Sequence, residues 1–455
     1  MNNFLFYLAA FALVLGTLII VHEYGHYLVA RLAGVKVLRF SVGFGRAIWS
    51  RRIGRDQTEW AIGIFPLGGY VKMLDEREGE VSPEEAHRAF NRRPVAWRMA
   101  IVAAGPLANF LLAILLFWGV FLYGSEELRP IFGTPPAASA AADAGFENGE
   151  RVLKVAGEEV ATWQEMRWVL LRRAVDQSII EFELVNARNE ITVRHLDVSS
   201  ARESGWEGDA LEKLGISFFK PMVRPLLKTI SPNSAAAAAD LRPGDEILAI
   251  DGKAIVSWSS VVETIRHSPG KTLAFDVLRD GARFSLQIRP ATIVEKGREI
   301  GRIGAAVGDT DLSRSEFMTM VRYGPVAALG KALNETWEKS VFSLVMMGKM
   351  LTGEVSWRNL SGPVTIADYA GQSARLGMDY YIKFLALVSI SIGVLNLLPI
   401  PILDGGHLLY YVVEIIKRRP LSERTMEIGQ QIGLALLLML MAFAFYNDFN
   451  RLISG

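Results

Sequence analysis

The sequence has no cysteine, which excludes disulfide bonds, a thiolate nucleophile and any cysteine-liganded zinc. It has no dominant charge either. Its 49 Lys and Arg against 48 Asp and Glu leave a net charge of +1, so no field exists to steer nucleic acid or an acidic partner. Charged residues are scarce at 21% of the chain, while 51% are hydrophobic; soluble domains average ~25% and ~45–50%. The apolar excess is modest over 455 residues and must therefore be concentrated.

It is concentrated in four stretches, from about Phe4 to Leu32, Ala100 to Tyr123, Tyr381 towards Ile416, and Ile432 to Tyr446. Crossing a bilayer takes ~20 predominantly apolar residues, so the last is short and the third too long for one plain span. Pro399, Pro401, Gly405 and Gly406 interrupt that third stretch, and broken backbone at membrane depth is tolerated only where protein or a cavity covers it. The break is a candidate site. The first stretch lacks a basic residue before its apolar run and a small-residue exit, and it carries ionisable groups, so it is expected to be retained rather than cleaved.

Arg31, Lys36, Arg39, Arg46, Arg51, Arg52, Arg55, Arg92, Arg93 and Arg98 lie between the first two spans, and Lys417, Arg418, Arg419 and Arg424 follow the third. The positive-inside rule makes both connections cytoplasmic and puts the termini and the segment from about Gly124 to Asp379 outside. That outer segment repeats itself. Ser139 to Ala142, Gly149 to Leu153, Gly157 and Trp163 recur as Ser234 to Ala237, Gly244 to Leu248, Gly252 and Trp258, which are two small β-rich units. Strands are expected at Ile180–Leu184 and Leu273–Val277, the second turning at Asp280-Gly281. The cytoplasmic loop also reads as strands, from Val35 to Met73, punctuated by Gly43, Gly45, Gly54 and Gly68-Gly69. Asp309 to Gly377 reads as amphipathic helices.

His22-Glu23-Tyr24-Gly25-His26 carries the chemistry. Residues four apart share a helix face, so both imidazoles reach one metal with Glu23 beside it as general base. Ionisable groups inside an apolar span are costly and usually functional; the bland alternative is a polar face packed against partner helices. A catalytic zinc takes a third protein ligand, and Asp404 in the broken segment is the obvious donor, with a helix-capping role as its alternative. His407 is the rival ligand, while His87, His195 and His267 fall in polar segments.

His22-Glu23-x-x-His26, the run Asn396 to Gly406 and the repeat between them resemble the site-2 protease family, in its form with two tandem PDZ domains; Phe65 to Met73 and Ala104 to Asn109 match as well. The resemblance implies an α-helical polytopic membrane protein with four transmembrane segments, two tandem β-rich PDZ-like extracytoplasmic domains and a membrane-associated β-hairpin loop. Its parts would be span 1–32, cytoplasmic loop 33–99, span 100–123, PDZ units 124–220 and 221–308, helical region 309–379, broken span 380–416, loop 417–431 and span 432–455. Zinc would be held by His22, His26 and Asp404, Glu23 would activate water, and Asn396 would hold the substrate backbone. The β-element would offer its edge to an extended substrate. The triplets around Gly215 and Gly304 resemble peptide-end loops of PDZ domains. Implied substrates are single-span proteins of a bacterial inner membrane, such as a pre-trimmed anti-sigma factor, and remnant signal peptides. Membrane lipids surround the spans, and no obligate partner is inferred. Two other readings compete: a non-catalytic PDZ adaptor, which would hold no metal, and a transporter, whose broken helices also build midplane sites.

Overall fold

The computed structural model describes residues 2–186, 188–203, 210–219, 223–295, 298–307 and 317–454. Helix α1 (Asn2–Leu32) leads into two long strands, β1 (Val37–Ile53) and β2 (Thr58–Met73), and then α2 (Val95–Tyr123). Each long strand folds on itself. Positive φ at Gly43 and Gly45 bends β1, and Gly63 leaves room for the Gly43 carbonyl. The limb around Phe40 is therefore flanked by Trp60 on one side and Val71 on the other, while Trp60 also pairs with Arg51. Among the described residues the limb Gly69–Met73 pairs only with β1, leaving its outer edge unpaired. Helix α2 begins at Val95, ahead of the expected Ala100.

After α2 come β3 (Ser125–Leu128) and the first repeat: α3 (Ala140–Asp143), β4 (Arg151–Val155), β5 (Glu158–Glu159), α4 (Trp163–Ala174), β6 (Ile179–Val185), β7 (Ile191–Asp197), α5 (Ser199–Glu203) and α6 (Ala210–Lys213). The second repeat has β8 (Leu227–Ile230), α7 (Ala235–Ala238), β9 (Glu246–Ile250), β10 (Lys253–Ala254), α8 (Trp258–Arg266), β11 (Leu273–Arg279), β12 (Ala282–Ile288), β13 (Ala291–Glu295), β14 (Arg298–Arg302) and β15 (Ala305–Val307). Both build the same antiparallel sheet, β5-β4-β6-β7 and β10-β9-β11-β12. Their helices start from matching caps, Ser139 and Ser234, then Thr162 and Ser257, each side chain accepting a backbone N–H in the first turn. Each repeat closes its own apolar core, around Phe182 in the first and Phe275 in the second.

The chain then returns through β16 (Met318–Val321), which pairs with β3, and through α9 (Pro325–Thr352), α10 (Pro363–Leu376), α11 (Met378–Leu397), α12 (Asp404–Lys417) and α13 (Glu423–Ser454). Two expectations need correction here. The segment 309–379, read as helical, contributes the strand β16, and its residues 309–316 lie outside the described set. The last span is longer than its apolar core suggested: polar Glu423 to Gln431 continue the helix, leaving a loop of 418–422 in place of 417–431. Helices α1, α2, α11 and α13 are long and apolar enough to cross a membrane, and this is a polytopic membrane protein.

Three of the four spans pack on one another. Phe117 and Phe121 of α2 meet Ala386, Ile390 and Val394 of α11, with Ala328 and Ala332 of α9 filling the same core. Leu329, Leu333, Trp337, Val341 and Leu344 leave the opposite stripe of α9 exposed. By contrast α13 is pinned at its ends. Asp448, 2% exposed, accepts from the N–H groups of Gly362 and Val364 and from the Thr365 hydroxyl, capping α10 from another helix. At the other end Gly433 lies against the Pro401 carbonyl, where a Cβ would not fit.

Candidate metal centre

The site forms where α1, α2 and the break between α11 and α12 converge. Gly25 of α1 sits against the Ala104 carbonyl of α2, so the two backbones approach as only small residues allow. One α1 face then turns His22 and His26 onto α2 at Gly105, where a Cβ would collide with His26 Nε2 and His22 Cε1. His26 Nδ1 donates to the Ile101 carbonyl at 2.8 Å, which leaves the Nε2 lone pair free and facing His22.

Asp404 arrives from the third segment. The chain leaves α11 at Leu397, turns through Leu398–Leu403, and starts α12 at Asp404. Gly405 and Gly406 lie against the carbonyls of Leu397, Leu398 and Ile400, so any side chain there would push the new helix off the old one. Ile402 takes φ +95°, a left-handed conformation that a β-branched residue enters only under constraint. The Asp-Gly-Gly run thus needs its carboxylate for the site and its glycines to bring the carboxylate there.

The resulting donor set is compact. His22 Nε2 and His26 Nε2 are 3.3 Å apart, and Asp404 Oδ2 lies 3.2 Å from the first and 3.5 Å from the second. Ligands ~2.0–2.2 Å from a tetrahedral zinc are separated by about 3.3 Å, so the three atoms fit three corners of that polyhedron. Asp404 Oδ2 is buried and accepts no hydrogen bond, as suits an anion whose partner is a cation. His407 is outside the cluster, although it lines the same cavity of about 610 Å³.

Glu23, 8% exposed, and Asn396, from the last turn of α11, also line that cavity, together with Gly68, Gly69 and Tyr70 of β2. A Cβ at Gly69 would strike the Glu23 side chain, so the strand lies directly over it. The sequence reading included Gly105 in the Ala104 to Asn109 match but gave it no role at the histidines, and it did not single out the Ile101 carbonyl. Their i, i+4 spacing on α2 was visible, but which span faces His22 was not.

The glycine triplets of the two repeats differ. In the first repeat Gly215, φ +79°, ends α6: its N–H donates to Glu212 and the Ile216 N–H to Leu211, a Schellman cap that uses both donors internally. In the second, Gly304, φ +78°, joins strands β14 and β15 with no helix before it.

The sequence pattern of peptidase family M50 matches residues 10–440. The chain is 42% identical over 457 residues to the regulator of sigma-E protease RseP of Escherichia coli K12, covering 99% of this chain and 100% of the relative. It is 41% identical over 453 residues to the protease RseP of Yersinia pestis, with 99% and 100% covered. A Neisseria meningitidis relative bearing the name of a zinc metalloprotease is 42% identical over 448 residues, with 98% and 99% covered.

Proposed function

This chain belongs to peptidase family M50 and is an intramembrane zinc metalloprotease, and from that premise we propose that it hydrolyses peptide bonds within transmembrane segments of single-span proteins, with His22, His26 and Asp404 holding the metal. The observation that carries the assignment is the trio of donor atoms 3.2–3.5 Å apart at the break in the third apolar segment. Zinc, when bound, polarises the scissile carbonyl and acidifies water. Glu23 takes the proton of the attacking water and passes it to the leaving amine. The Asn396 amide holds the substrate backbone beside it.

A transmembrane helix must be unwound before it can be cut. The unpaired edge of Gly69–Met73 over the cavity supports a role for β2 as a template, on which the substrate adds as an extended strand. By likeness to regulators of sigma-E, the substrate class is an inner-membrane anti-sigma factor trimmed outside beforehand, together with remnant signal peptides. The two outer repeats are PDZ domains on the periplasmic side, and they serve as a gate against bulky ectodomains. Trp168 Nε1 donates to Glu338 at 3.0 Å, and Arg172 and Glu165 pair with Glu338 and Lys331 at 2.9 and 2.8 Å, tying the first repeat to α9. The β14–β15 junction at Gly304 is the better candidate for receiving a peptide end, because the N–H groups of Gly215 and Ile216 are already in use.

The experiment is cleavage of a panel of single-span substrates in membranes by wild type and Glu23→Gln. Equal cleavage by the two overturns the assignment.

A further inference from the structure

One buried amide beside the metal-ligand set has no role in the mechanism above. Asn109 of α2 is fully buried, and its Nδ2 lies 3.3 Å from His22 Nδ1 while its Oδ1 meets no donor. Its backbone carbonyl accepts from the Ser389 hydroxyl of α11 at 2.7 Å, which fixes the residue between two spans.

An imidazole that ligates through Nε2 carries its proton on Nδ1, and that proton needs an acceptor. For His26 the acceptor is the Ile101 carbonyl. For His22 the group facing Nδ1 is the Asn109 amide. An NH2 turned towards Nδ1 suits only the tautomer that keeps its proton on Nε2, the atom facing Asp404 and His26. A half-turn of the amide exchanges nitrogen for oxygen without changing its shape. It gives the Nδ1 proton an acceptor and releases the Nε2 lone pair. We propose that Asn109 is the positioning residue of His22: its Oδ1 accepts the Nδ1 proton and so sets the ring in the metal-binding tautomer. Ile101, Gly105 and Asn109, at successive four-residue steps on α2, then present an acceptor for one ring, a seat for both and an acceptor for the other.

This rests on His22 being a metal ligand, and the test separates the two ideas. Zinc dissociation constants of the purified full-length protein in detergent are measured by chelator competition, alongside thermal unfolding of the metal-free form. Asn109→Leu, which keeps the volume and removes the acceptor, is expected to weaken zinc about 10–100-fold; Asn109→Asp, which keeps an acceptor, is expected to bind as tightly as wild type or tighter. Ser389→Ala, which leaves the amide intact, should stay within about threefold of wild type, well inside the range a lost acceptor spans. Should the Leu variant not accumulate, Asn109→Ser, whose hydroxyl is too short to reach, gives the same readout. Unchanged zinc affinity in Asn109→Leu, or equal weakening in the Leu and Asp variants, overturns the proposal. Retention of zinc by His22→Ala would instead overturn the donor set on which it rests.

Discussion

Two aspartates, one fully buried and one with a single buried oxygen, show how differently the membrane core and the repeats handle charge. Asp245, fully buried in the second repeat, meets Arg279 at 2.6 Å and accepts the Arg242 N–H at 2.8 Å. Burial pushes its pKa up, but the guanidinium and the N–H outweigh that and hold it below the usual carboxylate range. Asp404, in the core, has an oxygen with no hydrogen-bond donor and two imidazole nitrogens within 3.5 Å. The second repeat carries the counter-charge it needs in its own sequence. In the core the carboxylate oxygen faces two imidazole nitrogens instead, the arrangement expected where a metal ion would supply the counter-charge.

Changes in the core should therefore remove metal or chemistry, and changes outside should alter stability or substrate choice with the metal retained. The largest effect belongs to Glu23→Gln. Turnover of a transmembrane substrate should fall by at least about 10²–10⁴, the range for a lost general base, while zinc content per chain stays at the wild-type level. Asp404→Ala should lose both, with the zinc dissociation constant raised beyond what chelator competition tolerates, whereas His407→Ala keeps its metal. Zinc loss that followed His407 would reassign the third ligand.

Removing the repeats tests the other side. The Arg129 N–H donates to the Phe317 carbonyl at 2.8 Å, so the two ends of the segment that holds the repeats already meet at the β3–β16 sheet. A chain with 130–316 replaced by a short glycine linker should bind zinc normally and cut substrates with long ectodomains that the full chain rejects. Continued selectivity for short substrates in a stable, zinc-loaded protein would move the gate to α9 and α10. The smallest effect is Arg279→Ala, which leaves Asp245 buried without its guanidinium partner. It should cost the second repeat about 3–5 kcal/mol, read by thermal unfolding, with no change in zinc affinity. Because the folded pKa of Asp245 is depressed, its contribution is present above the usual carboxylate range and lost as pH falls through and below it. The variant should therefore lose less stability on acidification than wild type.

The sequence was informative wherever physics is local. Apolar runs marked the spans, the 95-residue offset between Gly149 and Gly244 announced two units with one sheet order, and Ser139, Ser234, Thr162 and Ser257 stood where helix caps were needed. It misjudged the last span because hydropathy registers only apolar residues, whereas the largely polar Glu423 to Gln431 continue the same helix, with Gly429 set against Tyr410 and Pro401. It missed β16 because a four-residue strand is defined by its partner, here β3, nearly two hundred residues earlier.

For the site, the i, i+4 histidines and the carboxylate in a broken span were determined by the sequence itself, since helix periodicity and the cost of charge in hydrocarbon act on single segments. Only the tertiary structure decided which atoms meet. Gly25, Gly105, Gly405 and Gly406 have no side chain to reveal their purpose, and each works by letting a particular backbone or ring approach. Ile101 lies 75 positions along the chain from His26, and Asn109 lies 87 from His22. Their relation to those rings is a matter of distance and direction between packed helices, which no one-dimensional pattern encodes.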